Sequence, residues 1–120
     1  IDLYSIPLLG DYLKKIRRNE AFGHPAIAFM IICDFLKIDR NQAILTFLYS
    51  TITTLVQNGV RGIPLGQTAG QRILLEIHPV LLGTVKRIEA LDIDDFGAVA
   101  PGIEIAQMRH EKLHVRLFMS

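Results

Sequence analysis

Near the end of this 120-residue chain, His110-Glu111-Lys112-Leu113-His114 has the spacing of a zinc-hydrolase helix motif. Residues four apart share a helix face, so two imidazoles can converge on one ion while the glutamate activates a water molecule. A catalytic zinc needs a third protein ligand and an open position as well. Downstream, Val115 to Ser120 contain no His, Asp, Glu or Cys. Upstream, the spacing nominates none of His24, His78 or Glu104. The favoured reading is an exposed helix face with two ordinary histidines beside Glu111 and Lys112. A zinc-dependent hydrolase using His110, Glu111 and His114 stands as the alternative.

Other side chains suggest chemistry and then lack its full set. Gly66 and Gly70, beside Gln67, Thr68 and Gln71, resemble a phosphate cradle at a helix N-terminus. Without Gly-Lys-Ser/Thr, however, the nucleotide fingerprint is missing. The segment reads better as a tight helix entry whose side-chain amides bridge to neighbouring segments, the C-terminal tail among the candidates. His24 and His78 read as caps or local hydrogen-bond partners. Imidazole suits Ni²⁺, but a single i,i+4 pair is an incomplete site, and no metal ligand or cofactor is assigned. Asp92, Asp94 and Asp95 read as a solvated turn and make a poor calcium site. Cys33 is the only cysteine, which excludes an internal disulfide and suits a reducing compartment; its apolar surroundings mark an inert thiol.

The elements that must position these residues are helical throughout, so the fold class expected is all-α. Leu8 to Arg18 predicts a helix with a basic tip, followed by a turn over Asn19 to Gly23. Pro25 suits the first position of a second helix. From Ala26 to Leu36 that helix is apolar nearly all round, which predicts a central, enclosed element.

Asp39 and Gln42 stand in N-cap and N3 relation and open a third helix. Its apolar stripe is Ile44, Leu48, Ile52, Leu55 and Val56. Its polar stripe of Asn41, Thr46, Ser50, Thr53 and Gln57 is free of charge until Arg61, which suits either solvent or another subunit. A break is expected over Gly59 to Gly66. Thr68 and Gln71 then read as a capping box for a long helix, which Pro79 should kink or split near His78. Pro101 should start a last helix running to about His114. The apolar Leu117-Phe118-Met119 that follows needs a surface to dock on.

Composition narrows the function. One domain at most is expected, and half of the residues are hydrophobic (50%) against 21% charged. So short a chain buries a limited share of its surface, so part of this apolar material should face a partner or a missing part of the same protein. The net charge of +1 is dispersed, with no basic stripe for nucleic acid. The apolar run from Ala26 to Cys33 is far short of the roughly 20 residues of a membrane span. The cytoplasm is the expected compartment. The start at Ile1, already inside a helical pattern, suggests a fragment of a longer all-helical protein.

Two blocks carry a family resemblance: Ile63-Pro64-Leu65-Gly66-Gln67-Thr68-Ala69-Gly70-Gln71-Arg72-Ile73-Leu74, and Ile105-Ala106-Gln107-Met108-Arg109-His110-Glu111 followed by Arg116-Leu117-Phe118-Met119-Ser120. In this order and at this separation they closely resemble the C-terminal half of the urease accessory protein F family. Gly23-His24-Pro25-Ala26 and Phe47-Leu48-Tyr49-Ser50 resemble it too. The family's N-terminal region, with its own Pro-Gly and His-Ser motifs, has no counterpart here. His114 stands where the family typically has tyrosine, so the zinc-like spelling is explained as a tyrosine position holding histidine.

The resemblance implies an all-α homodimeric scaffold that is not an enzyme. Residues 1–120 would be the C-terminal part of its single helical domain. Such a scaffold joins a second accessory protein (called D or H) and recruits a nickel-carrying GTPase (accessory protein G), so that nickel reaches apo-urease. The C-terminal segment is then the partner-binding element, with Arg109, His110, Glu111, Arg116, Leu117, Phe118 and Met119 as its candidate residues. Pro64, Gly66, Gln67, Gly70 and Gln71 form a structural motif. Arg116 matches the family's C-terminal arginine and also suggests a weaker idea, an arginine finger acting in trans.

Overall fold

A computed structural model describes residues 5–95, 97 and 100–111, the last by its backbone alone. Five α-helices run in sequence: α1 (Pro7–Arg17), α2 (Pro25–Phe35), α3 (Arg40–Gly62), α4 (Gln67–Glu89) and α5 (Pro101–Glu111). A single 3₁₀ turn, Ile93–Asp95, precedes α5, and among the described residues there is no strand, so the chain is all-α.

Each helix start has a local chemical cause. Pro7 and Pro25 occupy the first turns of α1 and α2, where a missing N–H leaves no bond unmade. His24 caps α2, its Nδ1 accepting from the Ala26 N–H at 3.2 Å. Asp39 caps α3, one carboxylate oxygen accepting from the N–H groups of Asn41 and Gln42 at 3.0 Å each.

The ends of α1 and α2 follow one design. Asn19 and Lys37 both adopt φ +57°. Around them Glu20 N–H reaches Lys15 C=O and Ile38 N–H reaches Cys33 C=O, each at 2.9 Å, closing six-to-one reversals. Asparagine tolerates the left-handed region; lysine does so at a cost of about 1–2 kcal/mol. Lys37→Gly is therefore expected to raise stability by about 0.5–1 kcal/mol, read as an upward shift of the urea midpoint with an unchanged slope.

The main packing is the antiparallel pair α3–α4. At its closed end Gly70 lies against Val56 and Val60. At its open end Asn41 Nδ2 donates to Glu89 Oε1 at 2.6 Å. Ala43, Leu74, Leu81 and Val85 are buried along the pair. Helix α2 packs on α3, where the rings of Phe29 and Phe47 stand 5.5 Å apart, and α1 packs on α2. Among the described residues α5 packs on none of the other helices.

Several expectations are corrected. Helix α2 is not enclosed: of its residues only Cys33 is buried, because α1 and α3 cover one side and nothing described covers the other. No break begins at Gly59; α3 continues to Gly62, carried by the contact of Val60 with α4. Thr68 and Gln71 form no capping box. The cap is Gly66 at φ +76°, with no side-chain hydrogen bond, and Thr68 lies inside the first turn.

Pro79 does not split α4, which is continuous through it. Leu74 before it and Leu81 and Val85 after it bury on the same seam, so packing holds the helix across the missing bond. On α3, Leu55 leaves the expected apolar stripe and is exposed, a fraction of a turn from the half-buried Val56. Thr53 moves the opposite way, half-buried with its hydroxyl oxygen enclosed and unpartnered, and nothing in the structure explains this.

Candidate partner-binding surface

Helix α5 carries Arg109, His110 and Glu111. Every side chain from Pro101 to His110 is exposed, including the large apolar Ile103, Ile105 and Met108, the last 66% accessible. Ile105 and Met108, three residues apart, share a face of this helix and Ile103 lies on the opposite side; with no described neighbour to rest on, each gains free energy by being covered. His114, Arg116, Leu117, Phe118 and Met119 lie outside the described residues.

The other block sits at the closed end of α3–α4. Pro64 is exposed in the connection, where Leu65 N–H bonds back to Ile63 C=O at 2.7 Å. Gly66 adopts its positive φ there, a conformation that favours glycine, and Gln67 at the start of α4 and Gln71 one turn on are both exposed. Gly70 is buried. A Cβ built on it falls 2.7 Å from Val60 Cγ2, closer than real side chains approach, so this glycine sets the separation of the two helices. Among the described residues the two blocks do not meet.

The remaining candidates take local roles. His24 uses a ring nitrogen as its helix cap. His78 is exposed on α4 and lines a shallow cavity with Leu45, Thr46 and Tyr49. In the acidic turn, Asp94 N–H donates to the Asp92 carboxylate at 2.8 Å and Asp92 N–H to the Asp95 carboxylate at 3.0 Å. On α1 the Lys14 ammonium, 2.8 Å from the Asp11 carboxylate, holds that exposed acid below its usual range through a hydrogen bond and charge.

Among the described residues no three His, Cys, Asp or Glu side chains gather in a group able to hold a metal. With His110 on a helix that meets no other, the His-Glu-x-x-His spelling gains no third ligand from the described fold. Chelator-free purification followed by elemental analysis is expected to find substoichiometric zinc. Near-stoichiometric zinc, lost on mutating His110 or His114, would reverse that reading.

Two further surfaces are exposed, the first not singled out from the sequence and the second already suggested by its uncharged polar stripe. One is an apolar groove of about 580 Å³ between α1, α2 and the start of α3, lined by Leu8, Ala26, Ile27, Met30 and Ile38 with Cys33 at its side. Its signal was present in the charge-free run from Ala26 to Cys33, which read as an enclosed helix. The other is the outward side of α3. The hydroxyls of Thr46, Thr51 and Thr54 donate to the carbonyls four residues earlier at 2.7, 2.9 and 3.0 Å. Hydroxyls satisfied in this way demand little water, so the surface can be covered at low desolvation cost.

These features define an all-helical protein whose chemistry-bearing residues serve caps, turns and exposed faces. Comparison with known proteins places it: the family profile described as UreF matches residues 1–78. The urease accessory protein UreF of Bacillus sp. (strain TB-90) is 52% identical over 120 residues, covering the whole chain and 53% of that relative. Its namesake in Lachnoclostridium phytofermentans is 48% identical over 118 residues, covering 98% of the chain and 52% of the relative. That of Corynebacterium glutamicum is 44% identical over 119 residues, covering 99% and 53%. The chain belongs to the UreF family of urease accessory proteins. It spans about half the length of these curated relatives. No solved structure matches it. None of its described helices is long and apolar enough to cross a membrane.

Proposed function

We propose that the chain is part of a non-catalytic scaffold in nickel-urease assembly, acting in the cytoplasm as a homodimer. It joins an accessory protein of the D or H type and a nickel-carrying GTPase (accessory protein G) to apo-urease. The observation that carries this reading is the match, along the whole chain, to proteins named as urease accessory proteins. The resemblance of the terminal block to the family's partner-binding segment points the same way.

In this reading Arg109, His110 and Glu111 on α5 begin a docking element that Arg116, Leu117, Phe118 and Met119 complete. The exposed apolar side chains of α5 support it, since an uncovered helix of this kind is a ready contact for a partner. The uncharged outer side of α3 is the candidate face for the second copy, and the motif from Pro64 to Gln71 fixes the α3–α4 pair that presents it.

A pull-down with the full-length protein tests the assignment. Partner accessory proteins should be captured by the parent and by His114→Tyr, in which the family's usual residue is restored. Failure of both to capture any urease accessory partner would overturn the scaffold reading.

A further inference from the structure

Four of the chain's 13 Lys and Arg residues, namely Lys14, Lys15, Arg17 and Arg18, stand within five positions at the end of α1. All four are exposed. The whole chain carries only +1, so the rest of it is net acidic. Asp11 and Glu20 flank the cluster. Asp11 pairs with Lys14 at 2.8 Å, and among the described residues no acid pairs with Lys15, Arg17 or Arg18.

Cations at a helix C-terminus commonly serve the helix itself, by bonding its last carbonyls or opposing its dipole. Here the backbone has taken the first task. The carbonyls of Lys14, Lys15 and Ile16 accept from the N–H groups of Arg18, Asn19 and Glu20 at 2.9 to 3.2 Å, through the reversal at Asn19. The dipole favours a cation there, but crowding four sets Lys14 against Arg17 and Arg18, three and four residues on, where like charges repel. Local stability therefore does not account for the cluster. Ile16 at its centre is half-buried against Gly23, and α1 packs on α2, so the cations stand on a fixed helix end. Nor is this a face for a core to cover, because unpaired cations are almost never buried.

We propose that the basic end of α1 is a docking site for a short acidic segment of another protein, one that presents two or three carboxylates together. Arg17 and Arg18 can each hold a carboxylate by two parallel hydrogen bonds, and Lys15 adds a compact charge beside them. The extent of the cluster selects this occupant. It covers only about 6 Å along the helix axis, the rise of four residues. A nucleic acid carries its phosphates well beyond that length, where the net acidic remainder of the chain opposes them. A short carboxylate-rich segment meets the cations and nothing else. The site lies on a different helix from the docking element of α5 and goes beyond it.

The test is fluorescence anisotropy of a fluorescein-labelled hexaglutamate peptide with the full-length protein, beside a labelled short DNA duplex. One variant combines Lys15→Gln, Arg17→Gln and Arg18→Gln. A control combines Arg72→Gln, Lys86→Gln and Arg87→Gln, an equal charge change at exposed positions of α4. Circular dichroism confirms the fold, and single Arg17→Gln serves if the first triple variant does not fold. The first triple variant should bind the peptide about tenfold more weakly than the parent, and the single variant about threefold. The control should stay within about twofold, and the parent's affinity should fall as salt is added. No peptide binding by the parent would overturn the proposal. Equal weakening in both triple variants would overturn it in favour of net charge alone. Duplex bound more tightly than peptide by the parent, and lost in the first triple variant, would overturn it in favour of a nucleic acid. Neither probe involves urease or its accessory proteins, so this proposal and the scaffold reading fail separately.

Discussion

Gly70→Val should destabilise the full-length protein by about 1–3 kcal/mol, the usual cost of forcing extra methyl groups into a packed contact. The reason lies in one distance. A Cβ at position 70 stands 2.7 Å from Val60 Cγ2 and 3.4 Å from Val56 Cγ1. Neither neighbour yields easily, since a valine in a helix has one strongly preferred rotamer. The helices must separate or a side chain must leave its rotamer. Against this, replacing glycine in a helix gains at most about 1 kcal/mol of propensity, so the clash wins.

Two companions isolate the cause. Gly83→Ala, on the same helix with nothing within 4 Å, should gain stability by about 0.5–1 kcal/mol from propensity alone. Val60→Ala should relieve Gly70→Ala, giving a coupling of about 0.5–3 kcal/mol in a double-mutant cycle. Urea titration of the parent, Gly70→Val, Gly83→Ala and the three variants of the cycle is sufficient. A stable Gly70→Val protein that had lost only the proposed dimerisation would move this glycine from the core of the α3–α4 pair to a subunit interface.

The helices were legible in the sequence wherever local chemistry decides: Pro25 at a first turn, Asp39 as a cap, and Pro101 at the start of α5 were all read correctly. Errors arose where tertiary contacts outvote local signals. Gly59 and Pro79 are breakers by propensity, yet each lies in a helix held along the α3–α4 seam. The capping-box pattern at Thr68 and Gln71 was a true local signal. It lost to Gly66, whose positive φ turns the chain two residues earlier.

Helix α2 shows a different limit. Its all-round apolar pattern predicts an enclosed helix, while among the described residues α1 and α3 cover only part of it. A hydrophobic pattern reports how much of a helix is apolar and not which neighbours cover it. The terminal residues proposed for docking are nominated by the resemblance of whole blocks and not by spacing, which points to a metal site instead.

Arg116→Ala should weaken capture of the accessory partners by about 2 kcal/mol, roughly thirtyfold in dissociation constant, as for an arginine at the centre of an interface. A guanidinium among apolar residues can hold a carboxylate by two parallel hydrogen bonds in a dry setting, and an ammonium cannot reproduce that geometry. Arg116→Lys should therefore recover only part of the affinity. The loss should fall on the dissociation rate and persist at high salt, because a desolvated contact is screened far less than a peripheral charge. Loss confined to the association rate and erased by salt would make Arg116 a steering charge outside the contact. A third pattern is distinct from both: unchanged capture with abolished stimulation of the GTPase. That would assign the side chain to the developing charge of phosphoryl transfer, where an arginine supplied in trans acts on rate and not on assembly. Surface plasmon resonance at two ionic strengths, joined to a single-turnover GTPase assay, separates the three.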